Sequence, residues 1–281
     1  MEFRTIVDIP KAPFTIEPCQ KLLFVGSCFA DNIGQRAREE KFRATVNPFG
    51  VMYNPASVLH TIERLHALDD RAFCDTTVLI TLGTNHIYRE KDSGKIVDNC
   101  QKRPQDLFTE EVLSVADCVG YLRQSLAVLQ ARQPAVRVIL TVSPIRYRKY
   151  GYHESQLSKA VLLLAIDQLL HEVREMPAEE RPRLCYFPAY EIVLDELRSY
   201  RFYKPDMLHP SEQAVEYIWK RFGETFFSDR THQFLRKWRP VKEALNHRPF
   251  NPESEEYKAF LALQKEKMSL LASRYEGFIM S

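Results

Sequence analysis

The 281-residue chain lacks most of the features that would narrow its class at once. Its cysteines, Cys19, Cys28, Cys74, Cys100, Cys118 and Cys185, are scattered and form no CxxC pair. That spacing argues against structural zinc and against a disulfide framework, and it suits free thiols in a reducing compartment. No apolar stretch approaches the roughly 18 residues of a membrane helix. The first ten residues do not have the form of a secretion signal. A cytoplasmic location without membrane association is therefore expected. Charge of one sign is also missing: 39 Lys and Arg face 37 Asp and Glu, and a net charge of +2 gives no general reason for nucleic-acid binding. The basic runs at Arg146, Arg148 and Lys149, and at Arg236, Lys237, Arg239 and Lys242, read as solvated faces. There is no GxGxxG, no P-loop and no HExxH, so neither a dinucleotide, a phosphate-loop nucleotide nor a metal is expected.

What the chain does have is alternation. Lys21–Gly26 is a short apolar run closed by glycine, the form of a buried parallel strand. Residues 27–43 read as a helix, 44–46 as a strand, and the helical spacing of Val58, Ile62, Leu65 and Leu68 follows Pro55. A strand over 77–82, a helix over 109–133, a strand over 136–142, a helix over 154–176 and a strand over 184–187 complete the pattern. Asp92-Ser-Gly94 marks a turn inside the polar stretch before the helix over 109–133. The apolar residues from Val161 to Ile166 are expected to be largely buried. Such β-α alternation predicts a parallel sheet with helices on both faces, whose ligands sit beyond the carboxyl ends of the strands.

After residue 227 the pattern changes. Residues 228–250 are basic and carry Trp238, Pro240 and Pro249, and 252–275 read as an amphipathic helix with Tyr257, Phe260, Leu261, Met268 and Leu271 near one face. The expected organisation is one α/β domain over 1–227 and a helical extension over 228–281 packed on it. A homodimer contact or a lid is the alternative use of that helix.

Several short segments could carry chemistry. Gly26-Ser27-Cys28 places a serine between a strand end and a helix start, where helix amides favour negative charge. Asp206-Met-Leu-His209 places a carboxylate and an imidazole on one tight turn. A serine hydroxyl needs such an oriented base to become a nucleophile. Oxyanion donors are also required, and the Gly50 amide after strand two and the Asn85 side chain after strand three are candidates. Ser143 and Arg146 follow strand four, so both are candidates for substrate contact. His86, beside Asn85, is a further candidate contact or a structural histidine. Tyr147, Tyr150 and Tyr152 offer faces for a sugar or for packing.

Together these pieces resemble the block order of SGNH hydrolases. Gly26-Ser27-Cys28-Phe29-Ala30 further spells the motif of the GSCFA family within that superfamily. Asn47-Pro-Phe-Gly50 with Asn54-Pro55, Gly83-Thr84 with Asn99-Cys100, Thr141-Val-Ser-Pro144, Ser158-Lys159 and Phe202-Tyr203 before Asp206–His209-Pro-Ser211 look like the same family. The resemblance covers roughly residues 20–230. It implies a flavodoxin-like three-layer α/β/α sandwich, Ser27 as nucleophile, and Asp206 and His209 as its base pair. The Ser27 amide, Gly50, and Asn85 or Asn99 would hold the oxyanion. Many superfamily members read Gly-Asp-Ser where this chain reads Gly-Ser-Cys, so an ungapped alignment puts Cys28 at the nucleophile's place. Cys28 is the alternative nucleophile. The implied activity is hydrolysis of an acyl ester, with an O-acetyl group on a carbohydrate as the first substrate to consider. Acyl transfer, or binding of a glycan or metabolite without turnover, is the alternative.

Overall fold

The computed structural model describes residues 4–69, 73–98, 100, 103–131 and 133–280. β1 (Lys21–Gly26), β2 (Arg43–Val46), β3 (Thr76–Leu82), β7 (Arg137–Val142) and β8 (Arg183–Tyr186) form one parallel sheet in the order β2-β1-β3-β7-β8. With strand ranks 2-1-3-4-5 this is the flavodoxin-like arrangement. The register sets Gly26 beside Thr81 and Thr81 beside Thr141, so three strand ends finish level with one another.

Side chains alternate across each strand, and the two faces collect separate cores. Phe24 and Ile139 point to a core shared with α1 (Cys28–Glu39), α6 (Glu212–Phe226) and α7 (Asp229–Asn246), built around Phe29, Trp219, Phe222 and Phe234. Leu23, Val25, Ile80 and Leu140 point the other way, against α2 (Pro55–Leu68), α3 (Val115–Gln130) and α4 (Gly151–Glu175). Three layers result, as expected. α4 is less enclosed than its composition suggested, because the helical period turns Leu164 outward at 59% exposure while Leu162, Ala165 and Ile166 are buried.

The sequence reading missed a second sheet. β4 (His86–Glu90), β5 (Ile96–Val97) and β6 (Phe108–Val112) form an antiparallel sheet in the order β5-β4-β6. The helix expected from Thr109 starts only at Val115. Before it, residues 108–112 pair with β4, and Arg89 holds Glu111 across the strands at 2.8 Å. The helix boundary has a local cause in a capping box, in which Ser114 and Asp117 bond each other's backbone amides.

Beyond β8, α5 (Ala189–Glu191) runs into a π-helical turn, Ile192–Leu197, and α6 returns to the sheet. α7 passes through Pro240 without breaking, although that segment showed no helical reading. Its Trp238 donates to the Glu39 carbonyl, and Arg239 and Lys242 reach the buried Glu40. α8 (Glu255–Arg274) buries only Gln264 and Leu271 and leaves Leu263 and Leu270 exposed. No helix is long and apolar enough to cross a membrane among the described residues.

Candidate functional site at the carboxyl rim of the sheet

Gly26 ends β1 with φ +139°, and a Cβ there would lie 2.1 Å from the Thr81 carbonyl oxygen. Only glycine lets the chain pass so close to β3. Ser27 follows, and it is sealed. It is 1% exposed, its amide donates to the Thr81 backbone oxygen and Oγ1, and its hydroxyl bonds Thr81 Oγ1 at 3.1 Å. The same hydroxyl caps α1 by accepting from the Phe29 amide. Where Ser27 was expected as the nucleophile, the strand-to-helix turn folds its hydroxyl inward, and there it joins β1 to β3.

Cys28 is the first residue of α1 and is half-buried. Its sulfur lies 3.5 Å from the Tyr53 hydroxyl. At this position the backbone amide has no acceptor within the helix, and the helix dipole favours negative charge. Tyr53 is drawn over the strand ends because its carbonyl accepts from the Gly83 and Thr84 amides, while the Met52 amide donates to the Gly26 carbonyl. Burial, and then the bond to Cys28, raises the Tyr53 phenol well above its ordinary value, so it stays a donor. Sequence reasoning missed Tyr53, although it lies inside the Asn47–Asn54 block.

Asp206 and His209 do meet. His209 Nδ1 is 2.6 Å from Asp206 Oδ2, while Asp206 Oδ1 accepts from the Leu208 and His209 amides. Those backbone bonds, ahead of the imidazole, hold the Asp206 carboxyl at about 2. The turn is tight: Met207 adopts φ 59°, a left-handed conformation unusual for a side chain of its kind. Arg146 steadies it from the loop after β7, its amide donating to the Leu208 carbonyl and its guanidinium to that of Met207, each at 3.0 Å. The same loop carries Tyr147, whose ring centre is 6.4 Å from that of Tyr53. In this way the turn and Cys28 share one rim. No hydrogen bond joins His209 to Ser27 or Cys28 among the described residues.

The other candidates are placed differently. The Gly50 amide is taken by the Asn47 carbonyl in a tight turn, and Asn85 Nδ2 by the Leu113 carbonyl at 2.7 Å. The Gly50 amide is thus engaged and Asn85 Nδ2 has one of its two N–H groups engaged, while the Asn85 side chain is 1% exposed and its Oδ1 has no partner among the described residues. The Ser27 amide is likewise engaged by Thr81. Asn99 lies outside the described residues. Ser143 is fully buried, its hydroxyl accepting from the Ile145 amide, so it supports the loop and makes no surface contact. His86 is 9% exposed, stacked on Tyr150 at 4.1 Å and bonded to Glu110, which makes it structural. Tyr147 and Tyr150 pack against each other, and Tyr152 lies under the Arg146 guanidinium. Among the described residues no group of three metal-ligating side chains occurs.

Beneath the rim sits Lys159, 2% exposed. Its ammonium donates to the Gly83 carbonyl at 2.6 Å and to the Ser143 carbonyl at 2.8 Å, tying the loop after β3 to the loop after β7. Ser158 adds bonds to the Asn85 amide and Thr84 Oγ1. Burial alone lowers the Lys159 amine to about 7.

A parallel α/β sheet thus carries a cysteine at the start of its first helix and a carboxylate-bonded histidine on the same rim. The GSCFA family model matches residues 21–75 and 70–222, and the chain belongs to that family. Residues 238–280 match the model described as the C-terminal domain of GSCFA domain proteins. Among solved structures, an acetyl esterase mutant with acetate ion aligns with TM-score 0.45 and 13% identity over 77% of this chain and 98% of that one. A carbohydrate esterase family 3 protein from Talaromyces cellulolyticus gives 0.41 and 11% over 77% and 98%. An acetyl xylan esterase from the rumen bacterium Butyrivibrio proteoclasticus gives 0.40 and 12% over 78% and 64%. Likeness of this degree carries no activity across. No match was found among curated proteins.

Proposed function

We propose that the protein is an acyl-ester hydrolase of the SGNH type whose nucleophile is the Cys28 thiol rather than the Ser27 hydroxyl. The observation that carries this reading is the contrast between neighbours: Ser27 is 1% exposed and bonded to Thr81, whereas Cys28 is half-buried at the helix start. The 2.6 Å pairing of His209 with Asp206 on the same rim supports it.

In this mechanism His209 Nε2 takes the thiol proton as sulfur attacks the ester carbonyl carbon. The tetrahedral oxyanion is held by the Cys28 amide and the Tyr53 hydroxyl. The C–O bond then breaks, and the departing alkoxide takes the proton from His209, leaving a thioester. Water attacks the thioester with His209 again as base, which releases the carboxylic acid and restores the thiol. Asp206 orients the imidazole and stabilises its charged form throughout. No metal or cofactor enters the scheme. An O-acetyl ester on a carbohydrate is the first substrate class to try, on the strength of the SGNH resemblance.

Hydrolysis of p-nitrophenyl acetate by wild type, Cys28→Ala and Ser27→Ala tests the reading. The expected result is loss of turnover in Cys28→Ala and retention in a folded Ser27→Ala. Full activity in Cys28→Ala would sink the thiol mechanism.

A further inference from the structure

Beside the Asp206–His209 turn lies a cavity of about 270 Å³. Arg146, Arg198, Gln156, Ser199, Tyr200 and Tyr203 line it, and the π-helical turn contributes Val193 and Leu194. Among the described residues its lining includes two arginines and no aspartate or glutamate. The Tyr203–Pro210 bridge and the bond from the Lys204 amide to the His209 carbonyl make one wall continuous with the candidate site.

Arg146 has no carboxylate within ion-pair distance among the described residues. One arm of its guanidinium holds the Met207 carbonyl, and its plane lies over Tyr152 at 4.1 Å, with Tyr203 at 5.5 Å and Tyr200 at 5.9 Å. Aromatic stacking of this kind fixes the planar fork and leaves its remaining N–H donors to a ligand. Arg198 stands at the end of the π-helical turn with φ 34° and ψ 44°, a left-handed conformation that costs a non-glycine residue energy. Its amide closes the turn on the Val193 carbonyl. The Asp195 carboxylate, 3.8 Å from Arg198, is an exposed partner, and such surface pairs contribute little.

Two arginines lining one cavity, with no aspartate or glutamate among its described lining residues, supply the donor chemistry that recognises carboxylate and phosphate oxygens. Tyr200, 68% exposed, adds a flat apolar face for the ring that would carry such a group. We propose that this cavity binds an oxyanion, a carboxylate or a phosphate, carried by the sugar portion of the ester substrate, so that the preferred substrate is an acylated anionic sugar. The proposal rests on the ester-hydrolase reading for its substrate but is tested without turnover.

The test is titration of the full chain with glucuronate, glucose 6-phosphate and glucose, followed by calorimetry and by the arginine Nε–Hε resonances. Saturable binding of one or both anions is expected, with the Arg146 and Arg198 resonances moving and glucose moving neither. Binding of glucuronate alone assigns a carboxylate source, and binding of glucose 6-phosphate alone a phosphate source. Arg198→Met, remote from the Met207 bond, should weaken binding about tenfold or more, and Arg146→Met likewise where it folds. Equal response to glucose, no saturation by either anion, or unchanged affinity in Arg198→Met would overturn the proposal. Cys28→Ala should bind the anion as wild type does, so failure here and failure of the hydrolase reading are read separately.

Discussion

The Tyr53 hydroxyl lies 3.5 Å from the Cys28 sulfur, across the ends of β1 and β3. A phenol kept protonated by burial can donate to an oxygen forming beside that sulfur. Tyr53→Phe removes the donor and keeps the ring against Tyr147. Ester turnover should fall by about 10²-fold with an unchanged melting temperature. Turnover within twofold of wild type would take Tyr53 out of the oxyanion site.

Asp206→Asn keeps the shape of the turn and removes the charge that orients His209. A drop in kcat of about 10³ to 10⁴-fold is expected, measured against an ester that wild type turns over. The wild-type carboxyl is held at about 2, below its unfolded value near 3.9, so the stability it contributes is complete above that value and is lost as pH falls through about 2. Above pH 4 the carboxylate is ionised throughout.

Lys159 has its amine lowered to about 7, against an unfolded value near 10.4. Between those values the unfolded chain holds a proton that the folded chain lacks, so the folded state gains stability as pH rises through the window. Conversely, that stability is lost as pH falls toward 7. Lys159→Met removes the effect together with the bonds to Gly83 and Ser143. Thermal melts of both proteins from pH 6.5 to 10 should show wild type gaining on the variant as pH rises. A constant difference across the range would contradict a desolvated amine.

Gly26→Ala would press a methyl group to 2.1 Å from the Thr81 carbonyl and force φ +139° on a residue that avoids it. Backbone cannot yield cheaply there, and a loss of more than about 3 kcal/mol is expected by chemical denaturation. A change under about 1 kcal/mol would mean that the β1–β3 crossing is looser than the structure shows.

The alternation of short apolar runs with amphipathic stretches made the parallel sheet and its helices legible, since strand and helix periods are local properties of the chain. β6 was not, because Thr109–Val112 takes its structure from pairing with β4, a partner about twenty or more residues away. α7 was hidden by Pro240, which this helix tolerates in its interior. Asp206 and His209 were readable as a pair because three residues of turn hold both. The choice between Ser27 and Cys28 was open in the sequence, since adjacent residues at a strand-to-helix turn differ only in which way the backbone sends them. The bond from Asn85 to the Leu113 carbonyl was not legible, because its acceptor is distant in sequence.

The most direct measurement is the intact mass of the protein acid-quenched during turnover of p-nitrophenyl acetate, for wild type, Ser27→Ala and Cys28→Ala. The account predicts one acetyl adduct on wild type and on Ser27→Ala, mapped to Cys28 and removed by neutral hydroxylamine as thioesters are, and none on Cys28→Ala. An adduct that survives in Cys28→Ala and maps to Ser27 would contradict it and restore the serine as nucleophile.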